Sequence, residues 1–444
     1  MTMEFRYVIT SAYQPVSTVT NAVGNGTSIT YTASNSFAVG QAVTTTGISP
    51  SQYNKSGYVI TARSSTNFTV ASTSTGTFVS GGSAVVPNPI IAEIPFTSVN
   101  FTQQLNSIGT FQGEVLLSGI NSTDLNVYGS TIPGQSILWI LFSDLPTFGG
   151  IPVWSGIIWN REYDSESQTL HITAQEMMSL YQRRRIATTK TYTAQDPTAI
   201  AYSLLQYTEA RSYGNTGLTY NSVTSGLSTT RTYNGYEYKT VYQAIKDLAS
   251  GYFDFKIQPS VVTGTLVNKF TIGIPLGTVY STTSAIASVF QFPGNVISYN
   301  FPENGQGAAN VLYGLGYGAN GTKLVATAID SSMYTSGFPL LEDSANYVDV
   351  GDANLLKAIT LGQLNATSYP PTTVEIVVTP YADPEFTQYQ IGDEVRLDIK
   401  DDYFPTGLNG FIMRIVGISV NPGENGPSRV TLTLTRQLSA GSVT

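Results

Sequence analysis

The sequence predicts a mainly β protein with an α+β middle region, and three features of its composition support this. Charged residues make up only 11% of the chain, against about 25% in ordinary soluble domains, so uncharged polar residues must supply much of the surface. The 28 Tyr and 19 Phe residues suit pleated surfaces, and the 41 Gly residues suit turns between short strands. At 444 residues, the chain is long enough for about two to four domains.

Charge and cysteine content exclude several classes of function. The net charge of −8 argues against stable nucleic-acid binding, because that affinity comes largely from Lys and Arg. Without Cys there is no disulfide, thiolate nucleophile or cysteine-ligated zinc. Residues 1–12 show no basic segment followed by an apolar one, and no run reaches the roughly 18 apolar residues of a membrane span. We therefore expect a soluble protein made in the cytoplasm.

Residues 15–87 differ in composition from the chain around them. They carry few charges and many Ser, Thr and Gly residues, with short alternating runs at 28–32 and 67–70. Removing them would join two strand-like runs, 5–10 and 90–96, into a hairpin. We therefore predict an inserted small β module at 15–87, placed at an exposed turn where chain ends lie close together.

Residues 1–14 and 88–172 are predicted to form the first β domain. Turn signals separate its strand candidates at spacings typical of a small antiparallel barrel or sandwich. The candidates are residues 98–101, 111–117, 137–142, 153–160 and 168–172. Trp139, Trp154 and Trp159 all fall in these strands, which indicates packing in a core or at an interface rather than a ligand platform.

Residues 173–305 are predicted as the α+β middle region. The first helix is expected at 173–185, with apolar side chains on one face and arginines in its last turn. Asp196 and Pro197 predict the N-cap and first position of a second helix. A third helix is expected at 240–249, ended by Gly251, and the following strands are expected at 252–257 and 269–274.

Residues 306–444 are predicted to form a second β domain. The glycine-rich run 309–328 indicates two strands around a turn, and Asp352 is a candidate cap for a further helix. The closing strands are expected at 373–379, 394–399, 411–420 and 429–436.

One glycine motif matches a cofactor fingerprint by letter. Gly316, Gly318 and Gly321 have the G-x-G-x-x-G spacing of dinucleotide-binding loops. That fingerprint requires a helix N-terminus directly afterwards to hold the pyrophosphate, whereas residues 322–328 alternate like a strand. The pattern therefore favours a glycine-rich hairpin.

The remaining candidates for chemistry have simpler structural interpretations. His171 is the only histidine, lies in a strand and has no nucleophile elbow to serve, so we expect it to face solvent or a subunit interface. Asp401–Asp402 and Glu342–Asp343 lack the calcium-loop pattern and are interpreted as surface loops. The alternative that two carboxylates on separate loops flank a bound sugar is left open by the sequence. Arg183–Arg185 is interpreted as a helix end with snorkelling side chains, or as a cross-subunit salt bridge. We predict no catalytic, cofactor or metal site and no enzymatic activity.

Several segments resemble one protein family. Residues 93–115 resemble the opening of minor tail proteins of siphophages that infect actinobacteria. Residues 153–163, 170–174 and 183–186 are similar to the strands and helix that precede that family's middle domain, and 309–328, 389–395 and 410–417 are similar to its second barrel. The resemblance covers most of the chain outside 15–87.

The resemblance implies a tail hub. Members of this family are related to the baseplate hub of contractile-tailed phages, in which each chain carries two tail-tube-like barrels. Three chains present six barrels, so a homotrimer docks on a hexameric tube. For this chain it implies barrels at 1–14 with 88–172 and at 306–444, in a virion protein at the tail tip. Implied partners are further copies as a trimer or hexamer, the distal tail or tail tube protein, the tape measure protein, and tail fibre or other tip proteins.

Three mechanistic expectations and three alternatives accompany the hub hypothesis. Edge strands of the barrels would pair between subunits to close the ring, and DNA would pass an acidic, polar channel without specific binding. The module at 15–87 would project outward, where a host-surface glycan is a candidate ligand. The alternatives are a hexameric distal tail adaptor, a carbohydrate- or receptor-binding tip protein, and a cell-wall hydrolase, which the missing Cys and single His disfavour.

Overall fold

The computed structural model confirms a mainly β protein, with 48% of residues in strands and 16% in helices. It describes residues 4–12, 16–35, 37, 39–86, 90–118, 120, 125–143, 150–221, 223–249, 253–262, 265–280, 286, 288–303, 305–318, 322–367, 373–423, 428–436 and 442–443. All statements below concern these residues.

Strand β1 (Glu4–Ser11) is followed by seven short strands that pair, in the described residues, only with one another. These are β2 (Ser17–Thr18), β3 (Asn21–Gly24), β4 (Ser28–Thr32), β5 (Ala42–Thr46), β6 (Lys55–Arg63), β7 (Asn67–Ala71) and β8 (Ser83–Val85). Their sheet order is β2-β8-β5-β6-β7-β4-β3. The seven strands enclose their own core, in which the Tyr31 ring stacks on Phe68 at a centroid distance of 4.9 Å.

The next strands form the first strand group together with β1. They are β9 (Ile90–Glu93), β10 (Thr97–Gln104), β11 (Thr110–Leu116), β12 (Ser136–Ser143), β13 (Ile151–Asp164) and β14 (Thr169–Glu176), with helix α1 (Val127–Ser130) between β11 and β12. Their order is β9-β1-β12-β13-β14-β11-β10. β1 pairs antiparallel with β9, which confirms the hairpin predicted from the runs on either side of the insertion.

Strand β12 is buried on both faces. Leu138, Ile140 and Phe142 pack in the core of the main sheet, whereas Ile137 and Trp139 face a second core formed with the middle region. A strand covered on both sides is apolar at successive positions rather than at alternate ones. This explains the unbroken apolar run of the sequence and fixes the middle region against the sheet.

The middle region contains helices and short sheets. Its elements are α2 (Met178–Arg183), β15 (Lys190–Gln195), α3 (Pro197–Glu209), β16 (Thr219–Tyr220), β17 (Thr229–Tyr233), α4 (Val241–Ala249), β18 (Asp254–Val262) and β19 (Thr265–Gly273). The second and third predicted helices are confirmed as α3 and α4, and the Asp196 carboxylate accepts from Thr198 N as the predicted cap. The expected stop at Gly251 lies outside the described residues.

The predicted first helix of this region is wrong over its first half. Residues 173–176 belong to strand β14, and only Met178–Arg183 is helical. Leu170, Ile172, Ala174 and Glu176 are all buried, so the segment follows the two-residue period of a strand. Hydrogen-bonded pairing with β11 and β13 on either side makes this segment a strand, although the later apolar residues have helical spacing.

The last part of the chain adds ten strands and two helices. They are β20 (Val289–Phe292), β21 (Val296–Asn300), β22 (Val311–Leu315), β23 (Val325–Ile329), α5 (Ser331–Thr335), β24 (Glu342–Asn346), α6 (Ala353–Thr367), β25 (Thr373–Val378), β26 (Glu394–Ile399), β27 (Leu408–Asn421), β28 (Arg429–Arg436) and β29 (Ser442–Val443). The glycine-rich hairpin (β22 and β23), the helix after Asp352 (α6) and the four closing strands are confirmed.

Six of these strands form the second strand group, in the order β21-β25-β28-β27-β26-β20. Strands β20 and β21 lie within 173–305 but pair with this C-terminal group. The glycine-rich hairpin belongs to a separate sheet, β24-β22-β23-β29, against which α6 packs.

The two strand groups join in one sheet of 13 strands, in which β10, an edge strand of the first group, pairs with the part of β27 beyond its pairing with β26. β10 pairs antiparallel with β27 from Phe101 opposite Val420 to Gln104 opposite Gly417. Apolar side chains from both groups form a single core. Neither group closes as a barrel in the described residues, because pairing stops between the consecutive strands β9 and β10 and between β20 and β21.

Candidate functional site

A buried charged cluster lies where β10, β14 and β18 meet. The Lys256 Nζ atom lies 3.1 Å from Gln103 Oε1 and 3.5 Å from Glu176 Oε1. Gly109 N donates to the other Glu176 oxygen at 2.7 Å. Burial raises the pKa of Glu176 and lowers the pKa of Lys256, while their mutual attraction opposes both shifts. The cluster holds the first strand group against the middle region.

A second polar cluster connects both strand groups to the middle region. Asn106 Nδ2 donates to Asp254 Oδ1 at 2.6 Å, and Arg414 Nη2 donates to Asp254 Oδ2 at 2.6 Å. Leu276 N donates to the same carboxylate at 3.1 Å, and Phe255 N donates to Asn106 Oδ1 at 2.8 Å. One carboxylate thus receives bonds from the turn after β10, from β27 and from the segment after β19. These bonds fix the relative position of three parts of the chain.

A cavity of about 300 Å³ lies beside the first cluster. Gln103, Val153, Lys256 and Tyr389 are among its lining residues. The hydroxyl of Tyr389 is buried and has no hydrogen-bond partner among the described residues, and burial raises its pKa. The junction is therefore polar but incompletely satisfied.

The three tryptophans pack in or against the two cores, as predicted. Trp139 and Trp154 are fully buried, and their indole N–H groups donate to Thr10 Oγ1 at 2.8 Å and to Thr102 O at 3.0 Å. Trp159 is only half-buried and donates to Ser179 Oγ at 2.8 Å.

His171 lies on the exposed face of β14, as predicted. Its Nδ1 atom is 3.3 Å from Glu114 Oε1, and its side chain is 46% exposed. Glu162 occupies the paired position on the other neighbouring strand. The imidazole thus lies between two strands that each carry a glutamate at the paired position.

The other sequence candidates have local structural partners. Asp401 accepts from Tyr403 N at 3.0 Å and from Phe404 N at 2.9 Å. Glu342 and Asp343 are at the surface, as predicted, but the predicted loop is wrong: they lie in β24, where parallel pairing with β22 makes the segment a strand. Among the described residues, no group of three or more His, Cys, Asp and Glu residues could hold a metal ion.

The three consecutive arginines have different environments. Arg184 forms an ion pair with Glu209 and donates to Gly214 O at 2.6 Å, so the expectation of snorkelling is wrong for it. Arg183 lies over the Trp159 ring at 5.3 Å, and Arg185 is exposed. The glycine motif lies in a strand-turn-strand segment, since strand β23 follows it, and Gly321 is outside the described residues.

Sequence reasoning missed the buried charges at the junction. Glu176, Asp254 and Lys256 stand among apolar residues in a chain with only 11% charged residues. A charge inside an apolar strand is a signal of pairing, because an isolated buried charge is strongly unfavourable. The partners themselves are distant in sequence, so the pairs needed the structure. No helix in the described part of the chain has the length and apolar content to cross a membrane.

The class of fold is defined by two strand groups that share one sheet and by an α+β region packed on the first group. A tail protein from Neisseria meningitidis MC58 has a similar structure, with a TM-score of 0.52 at 13% identity over 78% of this chain and 93% of that chain. The 43 kDa tail protein of prophage MuSo2 from Shewanella oneidensis gives a TM-score of 0.51 at 13% identity over 78% and 95%. This chain therefore has the fold of these tail proteins. No family model matches the sequence, and no curated protein matches it significantly.

Proposed function

We propose that this protein is a structural component of a phage virion, a tail hub at the tail tip. It forms a ring that continues the tail tube and anchors tip proteins or fibres. The observation that carries the proposal is the β10–β27 pairing, which places two strand groups in one continuous sheet with one core. Each chain then supplies two wall segments, and a trimer supplies the six that a hexameric tube requires.

The shared fold with solved tail proteins supports a tail component. The sequence resemblance supports the narrower proposal of a hub from a siphophage that infects actinobacteria. The proposed role is structural, since Asp401 and His171 are engaged in local contacts rather than arranged around a substrate. The proposed partners are the distal tail or tail tube protein, the tape measure protein and the tip proteins. In this proposal, DNA passes through a channel whose wall is poor in cations. The net charge of −8 supports such a wall.

The oligomeric state of the purified full chain tests the hub. Light scattering gives the mass in solution, and negative-stain images give the view along the symmetry axis. We expect a trimer with a central hole. A hexameric ring would instead support the distal tail adaptor, and a compact monomer at all concentrations would contradict both.

We propose carbohydrate or receptor binding by the inserted strands β2–β8 as a second function. These strands have a core of their own and expose Tyr58 and Val59 on β6, where Lys55 lies 5.1 Å from the Tyr58 ring. The Lys55 ammonium also donates to Ser74 Oγ at 2.9 Å. The exposed ring beside this cation offers a stacking surface for a sugar. Binding of the full chain to a glycan array, lost in Tyr58→Ala, is the expected result. Equal binding by the variant would contradict it.

A further inference from the structure

The hairpin that joins β13 to β14 ends in a cluster of negative charge, which we call the acidic tip. It consists of Glu162, Asp164 and Glu166, all exposed. Asp164 accepts from Glu166 N at 2.9 Å and from Ser167 Oγ at 2.7 Å, which orders the turn. In the described part of the chain, neither Glu162 nor Glu166 forms an ion pair. Their charges are available to a partner.

The nearest side chains do not neutralise the acidic tip. Arg161 is turned toward Tyr128: its guanidinium lies 4.2 Å from the ring centroid, and its Nη1 donates to the Tyr128 carbonyl at 2.6 Å. Glu114 adds a further negative charge on the adjacent strand, beside His171. Tyr163, at 52% exposed, supplies apolar contact area at the same place.

The opposite end of β14 leads into a surface of opposite charge, which we call the basic-aromatic patch. It is formed by Arg185, Arg211, Tyr213, Tyr236 and Tyr238, all exposed. Arg211 Nη1 donates to Arg185 O at 3.4 Å, and Ile186 N donates to Lys239 O at 3.0 Å, so three separate segments meet here. Neither arginine forms an ion pair with another described residue.

Two of the acids beside the patch are in ion pairs: Glu209 with Arg184, and Asp247, which lies 2.5 Å from Lys239. Glu237 accepts from the neutral Asn234 Nδ2 at 2.9 Å and keeps its negative charge. The two arginines outside any ion pair exceed this single acid, so the patch is positive on a chain whose net charge is −8. Exposed Tyr and Arg side chains together are the residue types that dominate protein–protein binding energy.

The acidic tip makes no ion pair with the patch of its own chain in the described residues. The tip lies at the turn that joins β13 to β14, whereas the patch begins only beyond α2, which follows the far end of β14. β13 and β14 are both inner strands of the sheet, paired on both sides, which fixes the position of the tip. A contact between them therefore joins two copies, with one end of one chain against the other end of the next.

We propose that the acidic tip of one copy binds the basic-aromatic patch of the next, and that this head-to-tail contact closes the ring. The inference rests on the proposed hub function and names the surfaces that build it. A heterologous contact of this kind generates a closed ring when the rotation between successive copies brings the last copy back to the first. It is separate from pairing between outermost strands, because β13 and β14 lie inside the sheet. Its charged character makes assembly sensitive to salt.

Charge reversal tests the contact by light scattering on the full chain. The tip variant is Glu162→Lys with Glu166→Lys, and the patch variant is Arg185→Glu with Arg211→Glu. We expect each to lose the wild-type oligomer and the combination of all four changes in one chain to restore it. The control, Glu375→Lys with Asp402→Lys, changes net charge as the tip variant does but at exposed sites in the second strand group, and should keep the oligomer.

Far-UV circular dichroism and thermal unfolding check that every variant is folded. If wild type forms a ring and both reversed variants keep it, the contact is wrong and the hub function stands. If the reversed variants dissociate but the combined variant does not recover, direct pairing of the two surfaces is wrong. If wild type is monomeric at low salt and high concentration, the hub function and the contact both fail.

Discussion

The Lys256 ammonium lies 3.5 Å from the Glu176 carboxylate, and both side chains are at most 6% exposed. The strands that carry them belong to different parts of the chain, so this pair links the main sheet to the middle region. A buried pair of this kind adds little to the free energy of unfolding compared with an apolar replacement. Removing only one partner, however, is strongly destabilising. Stability at this junction depends on both residues being present.

The first prediction concerns that pair. Glu176→Gln leaves Lys256 buried without a counter-charge, and we expect a loss of about 3–5 kcal/mol in the free energy of unfolding. Glu176→Gln combined with Lys256→Met removes the unpaired buried charge and should recover much of the lost free energy of unfolding. Urea unfolding of the three proteins measures both values. Equal destabilisation by the single and double variants would show that the charge is not the cause.

The second prediction concerns Asp196 at the start of α3. Its carboxylate accepts from Thr198 N at 2.9 Å and from both Ser225 N and Ser225 Oγ at 2.8 Å. Burial raises the pKa of Asp196, but these hydrogen bonds outweigh it and hold the pKa below its ordinary value of 3.8. The ionised group therefore stabilises the fold above pH 3.8, and the contribution is lost as pH falls through the folded-state pKa.

Asp196→Asn tests this dependence. At neutral pH we expect a loss of about 1 kcal/mol, because asparagine keeps the cap but loses the second acceptor oxygen. The difference in unfolding free energy between wild type and variant should shrink on acidification below the ordinary pKa of aspartate. A difference that stays constant from neutral to acidic pH would contradict the assignment. Thr198→Ala removes the Thr198 Oγ1 donor, which lies 2.7 Å from Asp196 Oδ1, and keeps the backbone donor. It should change the same pH profile in the same direction.

The third prediction concerns Tyr389, whose buried hydroxyl has no partner in the described residues. Tyr389→Phe removes an unsatisfied polar group, and we expect a gain of about 1 kcal/mol in the free energy of unfolding. Tyr181→Phe is the matched control, because the Tyr181 hydroxyl donates to Glu209 Oε1 at 2.8 Å. It should lower stability by about 1–2 kcal/mol. The opposite signs distinguish the two environments, and a loss in both variants would contradict the prediction for Tyr389.

The fourth prediction concerns the inserted strands β2–β8. Thr10 pairs with Ile90, so the chain leaves and re-enters the main sheet at neighbouring positions. Replacing residues 13–88 by a short Gly-containing turn should leave the main sheet folded with the wild-type oligomeric state. The excised segment should fold alone, since it has its own core. Light scattering and circular dichroism of both pieces check this, and aggregation of the shortened chain would contradict it.

Many of the strand positions along the chain follow from sequence patterns. Two such local patterns are the apolar run of β12 and the Asp196–Pro197 helix start, and the structure confirms both. Segment 173–176 could not be assigned locally, because its neighbours on both sides in the sheet decide its conformation. The β10–β27 pairing likewise joins residues over 300 positions apart in the sequence, and nothing local to either strand specifies the other.

The same limit applies to the candidate surfaces. The sequence showed Arg183–Arg185 as one basic run, whereas the structure directs Arg184 inward to Glu209 and leaves Arg185 exposed beside Arg211. The acids of the tip are adjacent in the sequence, at 162, 164 and 166, but their position at the end of a hairpin follows only from the pairing of β13 with β14. Charge type is readable from sequence, but the surface it belongs to depends on packing.

The pairing of Thr10 with Ile90 also bears on how the chain folds as it is synthesised. β1 leaves the ribosome before its partner β9, which emerges only after the whole insertion. An unstructured insertion would make that pairing a long loop closure, and the entropy lost grows with loop length. If the inserted strands fold as soon as they emerge, they bring their two ends together and turn a distant encounter into a near-local one. The insertion then acts as an early nucleus whose collapse sets the timing of main-sheet formation.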